Sequence, residues 1–181
     1  MVELTTMLDF RKDHSSSFYA QANGQVYAMN KILKTILKQT INASRSNWHI
    51  MFYPMLWAYR MNVKTATRFS PIHLVHGVEA VKHCHLCQIY TRKMRSHPTP
   101  LFPIIVVGPF TKWGVDFMTW NLVSDRGHMH IIVVVDYFTK WAEAMPTFKS
   151  NGEIESYFVF NQIIARFGIL KQIVTDHGGH F

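Results

Sequence analysis

Apolar positions fall into two regimes along this chain. Between residues 21 and 80 they recur at helical spacing, and between residues 111 and 181 they bunch into short runs closed by an acid or a turn. In residues 21–41, QANGQVYAMNKILKTILKQTI, the side chains of Met29, Ile32, Leu33, Ile36 and Leu37 stand at i, i+3, i+4, i+7 and i+8, with Lys31, Lys34 and Lys38 on the opposite face. This predicts an amphipathic helix with Asn23 as its N-cap. At roughly 100° per residue Tyr27 falls on the lysine face, one turn before Lys31. Residues 47–61 repeat the spacing with Trp48, Met51, Phe52, Met55, Leu56 and Tyr59, and Pro54 predicts a kink or a fresh start there. Ser70, Pro71 and Gly77 mark the cap, first turn and end of a short third helix. Residues 1–8 fit a short helix and residues 10–17 a short strand.

The last third reads as strands. Residues 115–119 are followed by a turn at residues 124–127, SDRG; residues 129–135 return antiparallel, and residues 142–145 form a third strand. Ser150 and Glu153 predict a capping box for a helix that runs to Phe167 and stops at Gly168. Residues 171–175 make a fourth strand. Between the two regimes, residues 81–110 show no clear period and contain four prolines, which predicts a semi-extended linker.

With 181 residues, 48% hydrophobic and 17% charged, the chain can bury one good core. Its net charge of +8 is unevenly spread: residues 1–80 carry +5, residues 81–110 carry +4 and residues 111–181 carry −1. A polyanion such as DNA or RNA would meet the first part and the middle, although a lysine stripe is also what any solvated helix face carries. Two cysteines, Cys84 and Cys87, exclude a disulfide scaffold and fit a reducing compartment. No apolar run approaches the roughly 20 residues of a membrane span, and the acids near the N-terminus do not fit a signal peptide. A nuclear or cytoplasmic protein is expected.

Three acids close three of the hydrophobic runs: Asp116, Asp136 and Asp176. A carboxylate at a strand end is held by the sheet yet reaches its rim, and two such strands side by side would make a cation site. His177 and His180 beside the last acid read as turn residues.

The runs PFTKWGVDFM, HIIVVVDYFTKWAEAMP and IIARFGILKQIVTDHGGHF resemble the catalytic core of the integrase of gypsy-type LTR retrotransposons. The segment SSSFYAQANGQVYAMNKILKTIL is similar to that family's stretch with P-Q-x-N-G-Q followed by x-E-x-x-N-K, and TATRFSPIHLVHGVEA is similar to a later one, with Arg68 replacing a Gly. The resemblance implies a ribonuclease-H-like α/β fold, a five-stranded mixed sheet flanked by helices, with the halves in swapped order. Residues 1–80 correspond to the second half of the core, residues 81–110 to a linker and residues 111–181 to the first half. Thirty linker residues reach up to roughly 100 Å, against about 40 Å for a globule of this size, so a circular permutant is feasible. Asp176, near the end of the sequence, would then sit in a loose site.

The resemblance also implies chemistry. In the family two Asp and one Glu hold two divalent cations, Mg²⁺ or Mn²⁺, for phosphodiester transfer. Asp116 and Asp176 match the two Asp, but Tyr27 falls on the Glu position, and a phenol with a pKa of about 10 is a poor substitute. The expectation is weak binding of one Mg²⁺ and defective strand transfer. Lys31 and Lys34 match basic positions that touch DNA in retroviral relatives, and Gln21, Asn23 and Lys38 extend that nucleic-acid-binding surface. The family's partners are DNA and further copies of itself, with no membrane. Cys84-His-Leu-Cys87 resembles the end of the family's zinc module, but structural zinc takes four ligands, so metal-free thiols are expected. A DNA-binding module without catalysis and a rearranged fragment with no selected role remain open alternatives.

Overall fold

The unbroken apolar run IIVVV at residues 131–135 has no polar face to offer water, so it belongs in the middle of a sheet covered on both sides. A computed structural model of the chain, which describes residues 2–14, 23–40, 47–82 and 108–176, places it there. The elements in order are α1 (Val2–Leu8), β1 (Arg11–His14), α2 (Gly24–Thr40), α3 (Trp48–Met61), α4 (Pro71–Lys82), β2 (Lys112–Thr119), β3 (His130–Asp136), β4 (Ala142–Thr147), α5 (Gly152–Phe158) and β5 (Gln172–Thr175). Helix α5 continues through a π-helical stretch, Val159–Ile164, into a last α turn, Ala165–Phe167.

The strands form one five-stranded mixed sheet in the order β1-β5-β2-β3-β4. β2, β3 and β4 are an antiparallel meander, while β5 lies parallel to β2 on one side and to β1 on the other. This is the α/β sheet with flanking helices that the sequence led us to expect, and the N-terminal strand is part of it. Alternation along β3 splits the core: Ile131, Val133 and Val135 pack with α2 and α3, whereas Ile132 and Val134 pack with α5 and Ile72 of α4. No helix among the described residues is long and apolar enough to cross a membrane.

Several local expectations shift. The buried stripe of α2 is Val26, Met29, Leu33 and Leu37, with Asn30 beside it, and Ile32 is largely outside. Helix α3 continues through Pro54 without a fresh start; Pro54 faces solvent while Phe52, Met55 and Leu56 hold the helix from the buried side. Ser70 caps α4 as expected, accepting from the His73 N–H, and Gly77 at φ 80° interrupts its helical backbone. The cap of α5 is Asn151, which accepts from the Ile154 N–H at 3.1 Å, in place of the Ser150 capping box.

Two buried ion clusters tie layers together. Glu143 on β4 binds Arg60 of α3 at 2.6 Å and Arg166 beyond α5 at 2.7 Å, and accepts from the Trp141 indole at 2.9 Å. Lys12 on β1 reaches the fully buried Glu155 of α5 at 3.2 Å. Removing Lys12 would leave the buried Glu155 carboxylate without its cation, at a cost of roughly 3–5 kcal/mol.

Helix α2 sits close on the sheet because β2 has no side chain at Gly114. A methyl group there would run into Val26 and the Tyr137 ring. Gly114→Ala is expected to lower stability by roughly 1–3 kcal/mol, read as a reduced midpoint in a denaturant melt; an unchanged midpoint would mean that α2 stands off the sheet.

Candidate functional site

Parallel strands in register bring equivalent residues side by side on one face. The last register pair of β2 and β5 is Val115 with Thr175, so the next residues, Asp116 and Asp176, leave adjacent strands together. Their face is that of Gly114 and Val174, which is covered by α2. Asp116 accepts a 2.6 Å hydrogen bond from the Asn30 amide of α2. Burial, and then the negative charge of Asp176, push the Asp116 carboxyl up to about 7, against the pull of Asn30 and Lys34. Half-buried carboxylates of like charge form a site in which a cation would relieve repulsion.

The helix that covers this face is pinned at its start. Asn23 is buried and donates to the Val115 carbonyl at 3.1 Å while accepting from the Tyr137 hydroxyl at 3.1 Å. Both ends of its amide are committed to the sheet. Asn23 thereby braces the start of α2 against the sheet.

The remaining candidates divide by position. Tyr27, one turn before Asn30, is 71% exposed and makes no hydrogen bond to either aspartate among the described residues. Lys31, Lys34 and Lys38 are exposed, and Lys34 lies near enough to Asp116 to favour its charged form. Gln21, Cys84 and Cys87 lie outside the described residues, as do His177 and His180.

Asp136, the third acid that closes a hydrophobic run, is fully buried and accepts from the N–H groups of Phe110 and Thr139 at 3.1 and 2.8 Å and from the Thr139 hydroxyl at 2.7 Å. Its oxygens are spent on the turn after β3.

Asn30 is the site residue that the sequence reading passed over. It is 5% exposed, and its side-chain carbonyl has no hydrogen-bond partner among the described residues. The available signal was a polar residue on the buried stripe, four residues after Val26 and three before Leu33. Among the described residues no group of three or more His, Cys, Asp or Glu assembles. Two aspartates and the Asn30 carbonyl are nevertheless oxygen donors of the kind that Mg²⁺ accepts alongside water and phosphate.

Known proteins share part of this sequence. The chain is 29% identical over 99 residues to the Gag-Pol polyprotein of walleye dermal sarcoma virus, and 38% identical over 103 residues to the Tf2-3 and Tf2-4 transposon polyproteins of Schizosaccharomyces pombe. Each match covers 55% of this chain, which spans 5% of the viral and 8% of the yeast polyproteins. These similarities agree with the retroelement resemblance of the motifs. No family model matches the chain.

The raised Asp116 pKa has a stability consequence. Unfolded, this group ionises near 4, whereas in the fold it holds its proton until about 7. The folded state binds the extra proton, so stability falls as pH rises between those values and is level above them. Asp116→Asn removes that loss, and its melting temperature is expected to exceed that of the wild type by more at about pH 8 than at about pH 4. Equal gaps at both pH values would show that the carboxyl is not strained.

Proposed function

We propose that this chain, related over about half its length to retroelement polyproteins, is a circularly permuted, ribonuclease-H-like integrase core that binds DNA and is deficient in phosphodiester transfer. The strand order supports the permutation. Read from β2, the sheet grows as a meander, β5 returns parallel to β2, and β1 adds outside β5 from the opposite end of the sequence. The 81–110 segment then serves as the linker between the halves.

The observation that carries the reading is the nearness of Asp116 to Asp176, one residue past the last register pair of β2 and β5, beneath a helix whose outer face bears Lys31, Lys34 and Lys38. Asp116 and Asp176, with Asn30 beside them, would hold one divalent cation, Mg²⁺ or Mn²⁺. Such an ion supplies Lewis acidity at a phosphate oxygen and lowers the pKa of bound water. The lysines would hold the phosphates of an adjacent strand by charge, which fixes position without reading sequence. Asn30 keeps Asp116 oriented through its amide. At the position that matches the third carboxylate in the family resemblance, the chain carries the exposed phenol of Tyr27.

Cutting and joining of element-end DNA in Mn²⁺ tests the catalytic half of this proposal. The wild type is expected to be inactive and Tyr27→Glu to gain measurable activity, abolished again by Asp116→Asn. Activity in the wild type, or none in Tyr27→Glu when that variant binds DNA, would sink the missing-ligand account.

Duplex binding tests the other half. Affinity should fall as salt rises, and each of Lys31→Ala and Lys34→Ala should reduce the slope of log affinity against log salt by about one. A slope unmoved by either substitution would remove α2 from the interface.

A further inference from the structure

Away from the aspartates, at the open edge of β4, three loops and helices enclose a second feature. The turn between β2 and β3, the loop between β4 and α5, and the start of α3 border an open pocket of about 680 Å³, within the range of ligand-sized sites. One wall is a column of three rings. Phe148 stacks on His128 with centroids 4.4 Å apart at 21°, and His128 stacks on His49 at 5.2 Å and 28°. His49 is 6% exposed; its Nδ1 lies 3.3 Å from the Asp125 carboxylate, and its Nε2 has no hydrogen-bond partner among the described residues.

The outer end of the column is open. Phe148 is 59% exposed, and Tyr53 and Tyr157, both on the pocket wall, are 58% and 66% exposed. Exposed Arg126 and Lys149 border the same space from separate loops, and Glu153 is the one acid on its lining among the described residues. Burial, ahead of the charges of His49 and Arg126, holds the His128 imidazole below its ordinary pKa, so near neutral pH the ring stacks uncharged.

Exposed aromatic faces flanked by flexible cations are the chemistry by which unpaired bases and their phosphates are held: the rings stack on the bases and the cations follow the backbone. A duplex buries its base faces against one another and has none to offer. We propose that this pocket is a second nucleic-acid site, which takes a single-stranded segment by stacking a base on Phe148 and pairing its phosphates with Arg126 and Lys149. The pocket shares no residue with the aspartate site, and the inference rests on the reading above only in taking the partner to be nucleic acid.

Fluorescence anisotropy of the full chain, with a labelled oligothymidine of roughly ten nucleotides and with a duplex, separates the two sites. Phe148→Ala is expected to weaken oligothymidine binding by roughly 5- to 100-fold, the worth of one stacked base. The exposed pair Arg126→Ala and Lys149→Ala should weaken it as well and flatten its salt dependence. Because both cations are surface residues, that double variant keeps the test decisive should Phe148→Ala fold poorly.

Duplex affinity should be little changed in these variants, whereas Lys31→Ala combined with Lys34→Ala should do the reverse. Loss of neither probe in the α2 variant would refute the duplex reading while leaving the pocket standing. Unchanged oligothymidine affinity in both pocket variants, with wild-type melting behaviour, overturns the inference. So does displacement of the oligomer by thymidine monophosphate at equal nucleotide concentration, which would assign the pocket to a free nucleotide.

Discussion

Strand β5, four residues long, has both of its edges occupied. It is hydrogen-bonded to β2 on one side and to β1 on the other, both in parallel, and through it segments from the two ends of the sequence become one sheet. Everything proposed for the molecule depends on this double pairing. It sets Asp176 beside Asp116, and it puts a sheet edge within reach of the N-terminal segment. Ile173 and Val174 of β5 are buried on opposite faces, so the strand is held by the core on each side of the sheet.

The chemistry of the site comes from environment more than from residue type. Asp116 and Asp136 stand at comparable places, each on a strand that leads to the rim, and burial raises the pKa of both. Asp136 is surrounded by donors supplied by its own turn and by Phe110. Asp116 has the Asn30 amide and a second carboxylate as a neighbour. The first arrangement closes a loop, and the second sets two like charges side by side.

Much of this was legible in the residues. Runs such as IIVVV and the alternating positions around Asp116 mark strands by composition and period, and the stripe of α2 is unambiguous as a helix. Periodicity locates a stripe without locating its centre, however. One step of rotation separates the expected line through Ile32 from the observed one through Val26 and Asn30, and that step decided whether Asn30 looked like a surface residue or a site residue. Asn151 took the cap from Ser150 because both are good caps one position apart. The shift from α to π geometry at Val159 has no local signal that we can identify. The ring column of His49, His128 and Phe148 joins three separate segments, and no window of sequence contains it.

The bond from Lys12 to Glu155 closes across 143 residues of chain. The meander of β2, β3 and β4 can assemble from near neighbours, but β1 has to search almost the whole polypeptide for its place, and contacts of such long range form slowly. The strand that completes the sheet therefore carries the largest loop-closure cost of its pairings, and it joins the two ends of the sequence only once that cost is met.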